Sequence, residues 1–145
     1  LIAAKQVNPD LAIVFEGCPA DDTAETPEMI QSAMGKGPML RYFDVSMITN
    51  PEFQEYALEI AKINKIPVQV SVRSGGGTNG MAITQVQGAP TIVVGIPVRY
   101  AHTPHCYVDF QDYQAAKELV IQLIKNLDAD KIQALVQPLS KEWNK

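Results

Sequence analysis

The sequence predicts an α/β fold built on a mostly parallel sheet. Short apolar runs with β-branched residues recur along the chain, amphipathic stretches of helical period separate them, and Gly, Pro or Asn marks most junctions. The opening LIAAKQVNPD reads as the last turn of a helix entering an Asn-Pro-Asp turn. Residues 11–16, LAIVFE, then form an apolar run between Pro9-Asp10 and Gly17, which predicts a buried strand ending at Glu16. Residues 17–38 carry no clear period. A loop of that length inside a compact domain is uncommon and often functional. Its GKGP lacks the spacing of a phosphate loop.

MLRYFD (39–44) predicts a second strand. The helix after it is signalled by Asn50 as N-cap, Pro51 at the first helical position, and Phe53, Tyr56, Ala57, Ile60 and Ile63 on one face. PVQVSVR (67–73) is the next strand, and SGGGTNGMAITQVQG a glycine turn into a helix ending near Gly88. APTIVVGIPV (89–98) is a further apolar strand. The last long helix falls within 107–127. Asp109 or Asp112 lies near its start, and Tyr113, Ala116, Leu119, Val120, Leu123, Ile124 and Leu127 form its inner face. The tail, 128–145, predicts one more short helix. No internal repeat or low-complexity segment interrupts this alternation.

A chain of 145 residues with 46% apolar and 19% charged residues is one ordinary globular domain. The net charge of −4 and the lack of a basic patch exclude nucleic acid as a partner. No apolar run approaches the length of a membrane span. Cys18 and Cys106 are the only cysteines and read as unpaired cytosolic thiols, so the expected location is cytoplasmic.

In open α/β sheets, ligands bind beyond the carboxyl ends of the strands. Three predicted strand ends carry chemistry: Glu16, RSGGGTNG and RYAHTPHC. Glu16 is either solvated past its strand or held by a cation. Asp21 and Asp22 read first as a solvated turn. The glycines permit a tight turn and close approach of a ligand to the backbone, and Thr78 is placed to cap the next helix. His102 and His105 stand on a Pro-containing segment that cannot be a regular helix, which excludes a helical metal pair. Taken alone, His102 is a ligand, a general base or a loop histidine. A His105–Cys106 nucleophile pair is disfavoured, because adjacent residues seldom face each other and no orienting partner is visible. Arg99 and Tyr100 either orient substrate carbonyls or pack.

The combination is more specific than its parts. NPDLAIVFEGCPADDT, GKGP, GGGTNGMAI and VGIPVRYAHTP occur in that order, followed by the VDFQDYQAAKELVIQLI helix. This resembles the glutamyl and leucyl-type metalloaminopeptidases, a family that includes tetrahedral aminopeptidases and proteins labelled cellulase M or endoglucanase. The resemblance implies an α/β/α sandwich like that of other dinuclear zinc exopeptidases. It implies two divalent metal ions, zinc or cobalt, with Glu16 binding one and His102 the other. It places Gly76, Gly77, Thr78, Asn79 and Arg99 beside the peptide substrate, with Asn79 standing where the family's GGGTDA motif has Asp. Asp22 matches an aspartate common in the family and has no assigned role.

The family's remaining ligands, its general-base glutamate and its dimerisation domain match nothing in this sequence. The resemblance therefore implies that 1–145 is the C-terminal portion of a catalytic domain, inactive alone, from a homo-oligomeric parent. Two other readings are a non-catalytic binding homologue and a glycosidase. The glycosidase reading is disfavoured because that chemistry needs a carboxylate pair flanking the glycosidic bond.

Overall fold

The computed structural model describes residues 2–136. The elements run α1 (Ile2–Val7), β1 (Ala12–Pro19), β2 (Met39–Asp44), β3 (Met47–Ile48), α2 (Pro51–Ile63), β4 (Gln69–Val72), α3 (Asn79–Gln87), β5 (Thr91–Arg99), β6 (Tyr107–Val108), α4 (Phe110–Lys125) and α5 (Ala129–Val136). All these strands belong to one mixed sheet. β1 lies parallel to β5 along its whole length, and β4 lies parallel to β2. β2 meets β5 antiparallel at Met39 and Leu40, and the short β3 and β6 are antiparallel additions. The longest pairing is thus parallel, while the junction at the sheet's centre is not.

Helices cover both faces. α2 and α4 pack on one side over Leu40, Ile92 and Val94, together with Leu135 of α5. α1 and α3 contact each other, and α3 covers the other side, where Val14, Met47 and Val93 form a smaller cluster. The result is the expected three-layer α/β/α arrangement.

The helix signals act as read, with corrections at the rims. Asn50 caps α2, its side chain accepting the Phe53 N–H at 2.9 Å. Phe53, Tyr56, Ala57 and Ile60 are buried, but Ile63 is 66% exposed. Gln54 and Ala61 share the inner stripe, which rotates its centre to about 100° from Ile63. On α4 the same drift leaves Tyr113 and Ile124 exposed, while Asp112 takes the inner position of the first turn. Asp109 is the N-cap, accepting from the Gln111 N–H at 2.7 Å, so the helix starts at Phe110 and residues 107–108 form β6 instead. The predicted tail helix is α5; the rest of the tail lies outside the described residues.

The 17–38 segment contains no regular element beyond the end of β1, yet side chains pin it. Buried Asp112 accepts the N–H groups of Gly35 and Gly37, each at 2.7 Å. Gly37 has φ +90°, and a Cβ there would collide with the Pro67 carbonyl, so GKGP is a structural hinge against the sheet. The Gln69 side chain donates to the carbonyls of Ala33 and Gly37 and accepts the Ala33 N–H. We expect Asp112→Ala to cost about 2–4 kcal/mol in urea unfolding, because it orphans two N–H donors at once. A loss under about 0.5 kcal/mol would show the loop is held by other means.

Candidate functional site

Alternation along β1 puts Val14, Glu16 and Cys18 on the face that α3 covers. The strand does not end at Glu16 as the sequence suggested. It continues to Pro19 because β5 offers a partner at every position, with Gly95 opposite Glu16 and Pro97 opposite Cys18. Glu16 is half-buried, and its Oε1 accepts the Asn79 N–H at 2.6 Å. That N–H opens α3, where donors have no intrahelical acceptor. Thr78 occupies the N-cap position but makes no capping bond; its hydroxyl is buried against Met47 Sδ at 3.4 Å. The carboxylate from β1 therefore does the work expected of Thr78.

His102 is exposed, on the turn that follows β5. Tyr100 and His102 both have positive φ, +57° and +64°. Two non-glycine residues in the left-handed region cost on the order of 1 kcal/mol or more each. The turn is tied by the Thr103 N–H and hydroxyl, both donating to the Tyr100 carbonyl. His105 and Cys106 are exposed farther along this loop, and Cys18 and Cys106 are unpaired.

Glu16 and His102 line one hollow of about 380 Å³. The turn Gly75, Gly76, Gly77 forms another part of its wall, as do Arg41 and Arg73. Gly76 has φ +73°, and a Cβ on Gly75 or Gly76 would meet nothing within 4 Å, so this backbone faces open space. Gly77 instead backs onto Ser46.

The structure does not bring Thr78, Asn79 or Arg99 into that lining. Asn79 lines a separate cavity between α1 and α3, with Ala3, Val7 and Ile83. Arg99 is engaged by Asp22, its Nη2 donating to Oδ2 at 2.7 Å and its Nε to Oδ1 at 3.2 Å. The hydrogen bond from Arg99 holds the Asp22 carboxyl below the usual carboxylate range. Asp22 also accepts the Met34 N–H. Asp21 accepts the N–H groups of Gln31 and Ser32 and pairs with Arg73 at 2.7 Å. The two aspartates are thus not a solvated turn; they tie the long loop to the strands that carry the site.

Sequence reasoning missed Arg41. It is 5% exposed, with Nη1 on Asp44 Oδ2 at 2.9 Å and Nη2 on Cys18 Sγ at 3.1 Å. Burial pushes the Cys18 thiol up, so the neutral sulfur is the acceptor. The available signal was an arginine inside an apolar strand, MLRYFD, where an unpaired charge is costly.

The donors on the hollow, one carboxylate and one imidazole, suit a zinc- or cobalt-type ion. Among the described residues, no group of three or more His, Cys, Asp or Glu is placed to hold a metal ion. The donor types fit such an ion, and two donors are fewer than the three or four that zinc sites use.

A mixed α/β sheet covered on both faces is an architecture shared with solved aminopeptidases. One is a TET aminopeptidase from a marine sediment archaeon of the Thaumarchaeota, 37% identical with a TM-score of 0.87, covering 92% of this chain and 38% of that one. Another is a Pyrococcus horikoshii TET1 peptidase that can assemble into a tetrahedron or a large octahedral shell. It is 26% identical with a TM-score of 0.71, over 87% of this chain and 36% of that one. The chain belongs to the M42 glutamyl aminopeptidase family, which residues 1–119 match. Among curated relatives, the lysyl aminopeptidase of Pyrococcus furiosus is 31% identical over 133 residues, or 87% of this chain. This chain spans 36–38% of the length of these relatives.

Proposed function

We propose that residues 1–145 form part of the catalytic domain of a metal-dependent aminopeptidase acting on peptides. The observation that carries the reading is the arrival of Glu16 and His102 at one hollow beside the open glycine turn. Glu16 would hold one divalent ion through its free oxygen, since Oε1 is taken by the Asn79 N–H, and His102 would hold the other. Bound divalent ions, zinc or cobalt, would polarise the scissile carbonyl and acidify water. Gly76 and Gly77 present backbone to the peptide. Thr78 seats the turn, Asn79 orients Glu16 through its N–H, and Arg99 fixes the loop through Asp22.

The unpaired cysteines support a reducing, cytoplasmic setting. The TET relative's shells support a homo-oligomeric assembly. No helix among the described residues is long and apolar enough to cross a membrane. A glycosidase would need a second carboxylate in the hollow, where Glu16 is the one carboxylate lining it among the described residues.

Titration of the protein with cobalt(II) tests the proposal. We expect weak, saturable binding, of which His102→Ala removes the part held by the imidazole and leaves the part held by Glu16. We also expect no turnover of an aminoacyl-anilide by residues 1–145 alone, because catalytic zinc sites use about three protein ligands. Identical cobalt curves for wild type and His102→Ala would sink the ligand assignment. Chelator-sensitive turnover by residues 1–145 alone would overturn the expectation that more ligands are needed.

A further inference from the structure

Away from the hollow, the sheet carries an apolar face. β3 and β4 flank the end of β2, and the register sets Ile48 and Val72 on either side of Phe43. Residues directly opposite each other share one face of a sheet. Val70 lies two residues from Val72 and so on that face too, opposite Leu40. Leu40 is buried in the core beneath α2 and α4, whereas Phe43, Val70, Val72 and Ile48 remain 40–72% exposed. None of the four lines the hollow. Single exposed apolar residues need no explanation, but a contiguous group of them marks a contact surface.

Area and charge decide what covers it. The four side chains present on the order of 300 Å², far below the ~800 Å² per partner of a stable protein–protein interface, so a short segment fits the face better than a second copy does. The border is acidic. Glu55 of α2 accepts the hydroxyl of Tyr42, the neighbour of Phe43, at 2.8 Å. Glu52, Glu55 and Glu59 line a groove of about 380 Å³ together with Lys131, Ala134 and Leu135 of α5. Lys131 is the one base in that lining among the described residues, and it lies over the Tyr56 ring, 5.1 Å from the centroid.

The groove brings the end of α5 to the border of the apolar face. α5 ends at Val136, one residue past Leu135. Residues 137–145, QPLSKEWNK, follow it; they lie outside the described residues and beyond 1–119, which match the family. They combine Leu139 and Trp143 with two lysines and one glutamate, so they are apolar and basic where the face is apolar and its border acidic. Three adjacent strands span only about 10 Å, and nine extended residues reach about 30 Å.

We propose that the face formed by Phe43, Ile48, Val70 and Val72 is the docking surface of residues 137–145, with Leu139 and Trp143 against its apolar side chains and the lysines toward the glutamates of α2.

Trp143 is the only tryptophan, so its fluorescence reads the docking in the intact chain. Acrylamide is expected to quench Trp143 several-fold less in the folded chain than in urea, with no change on dilution. Ile48→Lys puts a charge on the face at a highly exposed position, where the fold tolerates it, and should bring quenching to the level seen in urea. Lys141→Glu should raise quenching about twofold, the worth of one exposed ion pair. Ile2→Lys, on the α1 that packs against α3, should change nothing.

Trp143 as open to acrylamide as in urea, or shielding that Ile48→Lys leaves intact, would overturn the docking. Shielding lost on dilution would overturn it too, and would assign the face to a second copy. An equal loss from Ile2→Lys would count against this face, and unchanged quenching in Lys141→Glu would overturn the charge pairing with α2. The wild-type and Lys141→Glu measurements decide the matter even if Ile48→Lys folds poorly.

Discussion

An Asp44→Ala variant is expected to lose about 3–5 kcal/mol of stability, the cost of leaving a buried charge without its partner. Asp44 is 1% exposed. Its Oδ2 takes the Arg41 guanidinium, and its Oδ1 accepts from the Ser46 N–H and hydroxyl and the Met47 N–H, at 2.5–3.0 Å. Removing it strands Arg41 beside a neutral thiol and frees the turn between β2 and β3, on which Gly77 rests. Burial alone would push the Asp44 carboxyl up, but hydrogen bonds from Ser46 and Arg41 hold it below the ordinary range.

A lowered folded-state pKa means that the unfolded state binds the proton more readily. The stabilisation is therefore fully present above the usual Asp value of about 4 and is lost as pH falls through the lowered folded value. Urea midpoints at pH 7 and pH 3 should converge between wild type and Asp44→Ala as the acid limb is entered. Asp44→Asn should fall between the two at pH 7. A loss below about 1 kcal/mol at pH 7 would mean that Arg41 finds another partner.

The fold was legible wherever one local pattern decided the outcome. Asn50-Pro51 before an apolar stripe specified α2, and the unbroken apolar run 89–98 specified β5, because capping and burial act within a few residues. Strand ends were harder to read. Glu16 looks terminal by composition, but backbone pairing with β5 extends β1 to Pro19, and pairing is a property of the partner strand. The rims of α2 and α4 shifted for a similar reason: Gln54 and Asp112 sit inside, and no hydrophobic pattern announces a buried polar residue.

At the site, position near strand ends marked Glu16 and His102 without deciding their roles, the family resemblance implied that they are metal ligands, and the structure brings both to one hollow. The ion pairs that tie the long loop to the strands around the hollow join residues as far apart as Asp22 and Arg99 or Asp21 and Arg73. Such pairings are written in three dimensions and leave no spacing to read.

Glu16 holds two roles that substitution can separate. Its Oε1 satisfies the first N–H of α3, and its other oxygen is left for a cation. Glu16→Gln keeps an amide oxygen for the helix while removing the negative charge. Stability should then change by less than about 1 kcal/mol, whereas cobalt(II) or zinc affinity should fall at least about tenfold, since even the outer partners of metal ligands are worth that much. Glu16→Ala removes both functions, and its urea midpoint should show a further loss of about 1 kcal/mol, the usual value of a lost helix cap. A Gln variant that binds metal as tightly as wild type would take Glu16 out of the ligand set. An Ala variant as stable as the Gln variant would show that water caps α3 equally well. If both roles hold, the strand that carries the ligand also fixes the start of the helix beside the glycine turn, so metal binding should raise the hydrogen-exchange protection of the Asn79 N–H. That coupling follows from one carboxylate sharing its two oxygens, and Glu16→Gln, which breaks the sharing, should abolish it.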